Sequence, residues 1–212
     1  MGAILQAKIT VPRPAFRAED HVYGWEGRRL PSFSEISGEA GLVDYSRVPP
    51  SRLERAMWIG KAVHSAVELY DRDALDWSTL SPEIEPYLAA YRLFIVDTGF
   101  ETWEVEQPVA NLAYGYACTP DKVGTFRGAR KDYGPLEIKK AMHQDWHHGQ
   151  RHAQMLCFPG AKDSWLVRLC ADGRWKPIRA ERNSAAYYRS LWFGAVQIYH
   201  YKHREDETIW RP

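Results

Sequence analysis

Gly115-Tyr116-Ala117-Cys118-Thr119-Pro120-Asp121-Lys122-Val123-Gly124, followed by Leu136-Glu137-Ile138-Lys139, is the part of the chain that decides its fold. Both segments read as strand. Strand side chains alternate between faces, so Glu137 and Lys139 point one way and Ile138 points into the core. Asp121 and Glu137 stand 16 residues apart, which centres a hairpin on residue 129, and Arg127-Gly128-Ala129-Arg130 can turn there. The two carboxylates then lie nearly opposite each other on adjacent strands, close enough to share one metal ion. Two acidic oxygens suit a hard cation, Mg²⁺ or Mn²⁺. A lysine beside them suits water activation or charge stabilisation.

The rest of the chain sets broad bounds. Its 212 residues suffice for one domain with appendages, and 45% hydrophobic residues allow a sizeable core. The expected division is a single domain over 1–212, with an N-terminal β appendage over about 1–30 and a C-terminal hairpin and helix over about 164–204. A net charge of +1 means that any basic surface is local. Nine Trp and twelve Tyr are mostly expected in the core, with some able to stack on bases. Cys118, Cys157 and Cys170 are far apart and form no C-x-x-C pair, which points to a reducing cytoplasm. No apolar run is long enough to span a membrane, and Met1–Lys8 lacks the layout of a signal peptide.

Periodicity and caps place the elements. Residues 3–30 read as a short β element turning at Gly24-Trp25-Glu26-Gly27, and Ser32 or Ser34 caps a helix ending near Ala40. Pro49-Pro50-Ser51 opens a helix over 51–72, with Leu53, Met57, Ala62, Val63, Ala66, Val67 and Tyr70 as its apolar stripe. Ser81-Pro82-Glu83 opens a helix running to Asp97 and stopped by Gly99. Strands follow over 102–110, 115–126 and 135–140, then a helix from Asp145 to Phe158. Trp165–Cys170 and Trp175–Ala180 form a hairpin across Ala171-Asp172-Gly173-Arg174. A last helix over 184–203 presents Tyr188, Leu191, Trp192, Ala195, Ile198 and Tyr199.

Five pieces, in order, resemble one family. They are Pro31-Ser32-Phe33-Ser34-Glu35-Ile36, Gly60-Lys61-Ala62-Val63-His64, the Gly115–Gly124 stretch, Leu136-Glu137-Ile138-Lys139, and Trp146 with Gln150. The chain is similar to the PD-(D/E)XK nuclease superfamily, in particular its RecB-like phage and prophage branch. The resemblance implies an α/β restriction-endonuclease-like core, α-β-β-β-α-β, with a central mixed sheet flanked by helices. It implies a metal-dependent DNA nuclease, an exonuclease serving phage recombination, replication or repair in a bacterial or phage-infected cell. Its partners would be DNA, single- or double-stranded, and a second copy or a recombination protein. His64, Asp121, Glu137 and the Ile138 carbonyl would hold Mg²⁺ or Mn²⁺, with Lys139 and Gln150 as catalytic groups. The alternative is a nuclease-fold nucleic-acid-binding or assembly protein without catalysis.

Departures from the family pattern are Lys140-Ala141 after Lys139, Gln154 in place of a tyrosine, and the interruption Lys131-Asp132-Tyr133-Gly134-Pro135. Pro135 points to an edge or a bulge. For Asp121, Glu137 and Lys139 the competing reading is a surface ion-pair cluster; for His64 it is a core hydrogen bond, and for Gln150 a polar helix surface. Glu68, one turn beyond His64, either orients it or is solvated. Glu106 either serves a second metal through water or is exposed. Arg52, Arg55, Lys140 and Arg151 are candidate phosphate contacts, each equally a solvated charge. His143, His147, His148 and His152 offer a rival Zn²⁺ site at i, i+4 spacing, without the H-E-x-x-H pattern.

Overall fold

The computed structural model describes residues 9–128, 132–140, 144–178 and 184–212. Three short strands open it: β1 (Ala15–Arg17), β2 (Val22–Trp25) and β3 (Arg28–Leu30). The β2–β3 turn is Glu26-Gly27, with φ of 48° and 78°, the two positive values that a tight two-residue hairpin needs. Ser32 then caps α1 (Phe33–Glu39), its hydroxyl accepting from the Glu35 N–H at 3.1 Å. Pro50 is the first residue of α2 (Pro50–Asp71), where its missing N–H costs nothing. A 3-10 turn at Trp77–Thr79 leads to α3 (Glu85–Thr98), which ends on Gly99 at φ 61°. Then come β4 (Phe100–Val105), β5 (Val109–Asn111), β6 (Tyr116–Cys118), β7 (Lys122–Phe126) and β8 (Tyr133–Lys139). The chain closes with α4 (Trp146–Met155), β9 (Trp165–Leu169), β10 (Trp175–Pro177) and α5 (Ala185–Lys202).

The fold is α/β, with a central mixed sheet ordered β10-β9-β8-β7-β4 and helices on both faces. The succession α3-β4-β7-β8-α4-β9 is the expected α-β-β-β-α-β core, with β5 and β6 paired separately as an excursion between β4 and β7. Strands β8 and β9 run parallel, so a crossover must join them, and α4 is that crossover. On one face Val63 and Val67 of α2 and Leu88, Tyr91 and Phe94 of α3 pack on Leu136 and Ile138. On the other face Val123 joins Ala153 of α4 and Trp192 and Val196 of α5.

Several expected elements are corrected. The strand expected over 102–110 is two, because the backbone turns left-handed at Glu106, φ 49°, before Pro108. The strand over 115–126 is also two. Pro120 has no N–H for a ladder, and the chain leaves the β5–β6 sheet there and enters the central one at Lys122. Pro135 makes no bulge, and on the β9 side it stands at a local edge. It pairs with Val123 in an unbroken β7/β8 register, and pairing of β8 with β9 begins only at Leu136, so its missing donor leaves no gap. The register shift lies instead between β4 and β7, at Thr102/Glu104. Gly134 is required beside it: a Cβ there would stand 1.8 Å from the Asp163 carbonyl oxygen.

Helix α2 buries only its C-terminal half, through Val63, Ala66 and Val67; Met57 is 55% exposed, and Leu53 is only half-buried. In α5, Ile198 is exposed and Val196 takes its place in the core. Among the described residues, no helix is long and apolar enough to cross a membrane.

Candidate metal centre and its lysine

The β7/β8 register centres on residue 129, since Lys122 pairs with Leu136 and Thr125 with Tyr133. Continued by one pair, it sets Asp121 across from Glu137, at the end of the sheet where β7 begins and β8 ends. Neither carboxylate is on the surface, at 6% and 3% exposed. A solvated ion-pair cluster is therefore not what this sheet end carries. A buried carboxylate is costly unless donors and charges surround it, and these two have both.

Asp121 uses both oxygens. One lies 3.0 Å from His64 Nδ1, and the other accepts from the Ile138 N–H at 2.6 Å. Helix α2 brings His64 over the sheet end from the opposite layer. Gly60 is not what permits that approach, since a Cβ there would make only ordinary contact, 3.6 Å from Lys140 Cε. The left-handed turn at Glu106 folds the chain back, so that its N–H donates to the Asp121 carbonyl at 3.1 Å. Its carboxylate then lies 4.0 Å from His64 Nδ1. One ligand atom each from His64, Glu106 and Asp121 falls within 4.8 Å of the others. Among the described residues this is the one such set of three, and Glu137 is outside it.

Glu137 is engaged differently. Its Oε1 accepts from Lys139 Nζ and from Gln150 Nε2, each at 2.6 Å, and its Oε2 accepts from Gln154 Nε2 at 2.5 Å. Lys139 Nζ also donates to Gln150 Oε1 at 3.0 Å and stands 5.7 Å from the Trp146 ring centre. One turn of α4 thus presents Gln150 and Gln154 on a single face toward β8. The ammonium is held by a carboxylate, an amide and an aromatic ring.

The electrostatics follow from crowding. Burial, and then the like charge of Asp121, push Glu106 up to about 8. Burial works against a charged His64, but the Asp121 charge and hydrogen bond prevail and raise it to about 9. Burial also opposes ionisation of Asp121, yet His64 holds it below its ordinary value. Burial and Asp121 raise Glu137, with Lys139 pulling the other way. Three acids share too little space for three full charges, and protons on His64 and Glu106 relieve them. A divalent cation would do the same.

The remaining predicted residues are placed as follows. Glu68 pairs with Arg72 at 2.9 Å, one turn on, and makes no ion pair with His64, whose Nδ1 faces Asp121. Arg55 donates to Glu83 at 2.7 Å and covers the Trp58 ring. Arg52 is exposed, Lys140 half-buried, and Arg151 carries a buried Nε without a hydrogen-bond partner. The rival zinc site does not assemble among the described residues. His147 Nδ1 accepts from the Gln144 N–H at 3.2 Å, whereas His148 and His152 pack on Tyr188. His143 lies outside the described residues.

Sequence reasoning underrated Glu106 and treated Gln154 only as a departure. Nothing in the periodicity announces the left-handed turn that aims Glu106. Gln154 did carry a signal, the i, i+4 spacing from Gln150.

No family model matches the chain, and no curated protein does. Among solved structures it is similar to an alkaline exonuclease, LHK-Exo, from Laribacter hongkongensis, at 15% identity over 83% of this chain and 90% of that one, with a TM-score of 0.41. LHK-Exo in complex with dAMP is similar at 15% identity over 83% and 92%, with a TM-score of 0.36.

Proposed function

We propose that this protein is a metal-dependent deoxyribonuclease that hydrolyses phosphodiester bonds. The observation that carries the reading is the meeting of His64, Glu106 and Asp121 within ligand reach, beside the Glu137-Lys139-Gln150 chain. The donor set is one imidazole and two carboxylates, which suits Mn²⁺ and accommodates Mg²⁺. When bound, the ion would polarise the scissile phosphate and lower the pKa of a water molecule.

The chain's own residues do the rest. Asp121 orients His64, and the Ile138 N–H fixes the Asp121 oxygen that His64 leaves free. Glu137 and Gln150 hold the Lys139 ammonium at the sheet end, with Gln154 fixing the other Glu137 oxygen, and there the ammonium offsets the negative charge that develops on a phosphate under attack. Because that ammonium is already in place, little reorganisation is needed during the reaction.

Digestion of linear, closed-circular and single-stranded DNA with Mg²⁺ or Mn²⁺ tests this proposal. Wild-type protein should degrade DNA only with metal, and Lys139→Ala should lose about a hundredfold or more in rate. Attack confined to linear DNA would mark action from an end. Equal rates for wild type and Lys139→Ala would defeat the assignment.

A further inference from the structure

The exposed half of α2 is not featureless. Pro50, Leu53, Glu54, Met57, Trp58 and Lys61 line one open groove with a volume of about 460 Å³. Their spacing is that of a single helix face, and the next position on that face, three residues beyond Lys61, is His64. The groove lining ends at Lys61, and His64 of the candidate metal centre continues the same helix face, about two turns or roughly 10 Å along the axis from Met57.

Its wall is apolar and aromatic, while its frame is basic. Trp58 is 50% exposed. Arg55 covers one indole face at 4.9 Å and is itself anchored by Glu83, so the ring is held in place before anything binds. Lys61 is exposed on the groove face, and Lys140 lies against Gly60, one residue before it. Glu54 is the one acid lining the groove.

We propose that the groove takes an unpaired nucleobase at the end of a DNA strand, stacking it on Trp58 and Met57 while Lys61 and Lys140 meet the phosphates leading to the metal centre. The idea rests on the nucleic-acid reading of that centre. An aromatic face with cations beside it is the usual means of holding single strands without regard to sequence. Bases inside a duplex have no free face to offer, so the groove selects frayed or overhanging ends. A protein partner would also cover the apolar wall but gives no reason for the surrounding cations.

The test is binding in the absence of divalent metal, where no cleavage occurs, by fluorescence anisotropy. The probes are a short labelled single strand and a labelled closed-circular duplex, which has no ends and no unpaired loop. Trp58→Ala should weaken single-strand binding about tenfold, Trp58→Phe should retain most of it, and duplex binding should change less than twofold. Unchanged melting of the variants without metal shows that they fold, and Mn²⁺ should still raise the melting temperature of Trp58→Ala. Equal single-strand affinity in wild type and Trp58→Ala would overturn the proposal, as would an equal loss on both probes. A wild-type dimer that Trp58→Ala dissociates without changing DNA affinity would overturn it too, assigning the face to a second copy. If wild type degrades no DNA with either metal but the Trp58 effect stands, the nuclease reading fails and the groove survives.

Discussion

Lys122→Met should destabilise this protein more than almost any single change outside the hydrophobic core. Lys122 is 1% exposed, and its Nζ lies 2.9 Å from Asp71 Oδ2, at the end of α2. The Tyr91 hydroxyl donates to the same Asp71 oxygen at 2.7 Å. Methionine fills the stem but removes the ammonium, leaving a carboxylate that is about nine-tenths covered with one neutral donor. Breaking a buried pair on one side costs about 3–5 kcal/mol. The remaining Tyr91 bond and the slight exposure of Asp71 favour the lower end, about 3 kcal/mol. At roughly 2–4 °C per kcal/mol for a chain of this size, the melting temperature should fall by about 6–12 °C. Urea denaturation of Lys122→Met, Asp71→Asn and the double variant forms a complete cycle. The double variant should recover most of the loss, because the amide that replaces the Asp71 carboxylate is neutral and still accepts from Tyr91. A cost below about 0.5 kcal/mol for Lys122→Met, or a double variant no better than the single, would refute the reasoning. The pair also joins α2 to β7, two helical turns from His64, so lost stability should come with weaker metal binding.

Other expectations are equally specific. Gln154→Leu strips Glu137 Oε2 of its donor and should cost about 1–3 kcal/mol in stability by chemical denaturation; Gln154→Glu, unable to donate when ionised, should cost at least as much. His152 is buried, with neither ring nitrogen reaching a hydrogen-bond partner, and burial and then Arg151 lower it to about 4. The folded state thus binds fewer protons than the unfolded one between about 6.5 and 4, so stability is full above that window and falls as the pH drops through it. His152→Phe should flatten this acid limb in melting curves, and an unchanged limb would argue against it. His64 and Glu106, at about 9 and about 8, hold protons at neutral pH that a cation must displace. Mn²⁺ affinity should therefore rise with pH up to about 9. Calorimetry in buffers of different ionisation enthalpy at about pH 7 should find close to two protons released per ion; release near zero would count against the ligand set.

The parts of this fold legible in the sequence were those set by local rules. The caps at Ser32 and Gly99 and the opening proline at Pro50 fall where the residue types require. The Asp121–Glu137 register follows from simple hairpin spacing because β7 and β8 pair without a bulge from Lys122 to Thr125. What escaped depends on the chain leaving an element. Thr119-Pro120-Asp121 carries it from one sheet to another, and the left-handed Glu106 turns it back on Asp121. Both events are decided by tertiary contacts that no period encodes. The same limit explains α2, whose apolar residues keep one spacing throughout although the sheet covers only the C-terminal half. The buried state of Glu137 was hidden as well, since it depends on two glutamines of α4 arriving over β8.

Titration of wild-type protein and Asp121→Asn with Mn²⁺, followed by electron paramagnetic resonance and by melting temperature, tests the metal centre most directly. Asp121 touches His64 and lies beside Glu106, so its neutralisation should leave the apo fold intact while weakening one bound Mn²⁺ by about tenfold or more. Wild type should bind one ion and melt higher as Mn²⁺ rises. Indifference of the wild type to the metal, or identical binding by the two proteins, would contradict the account.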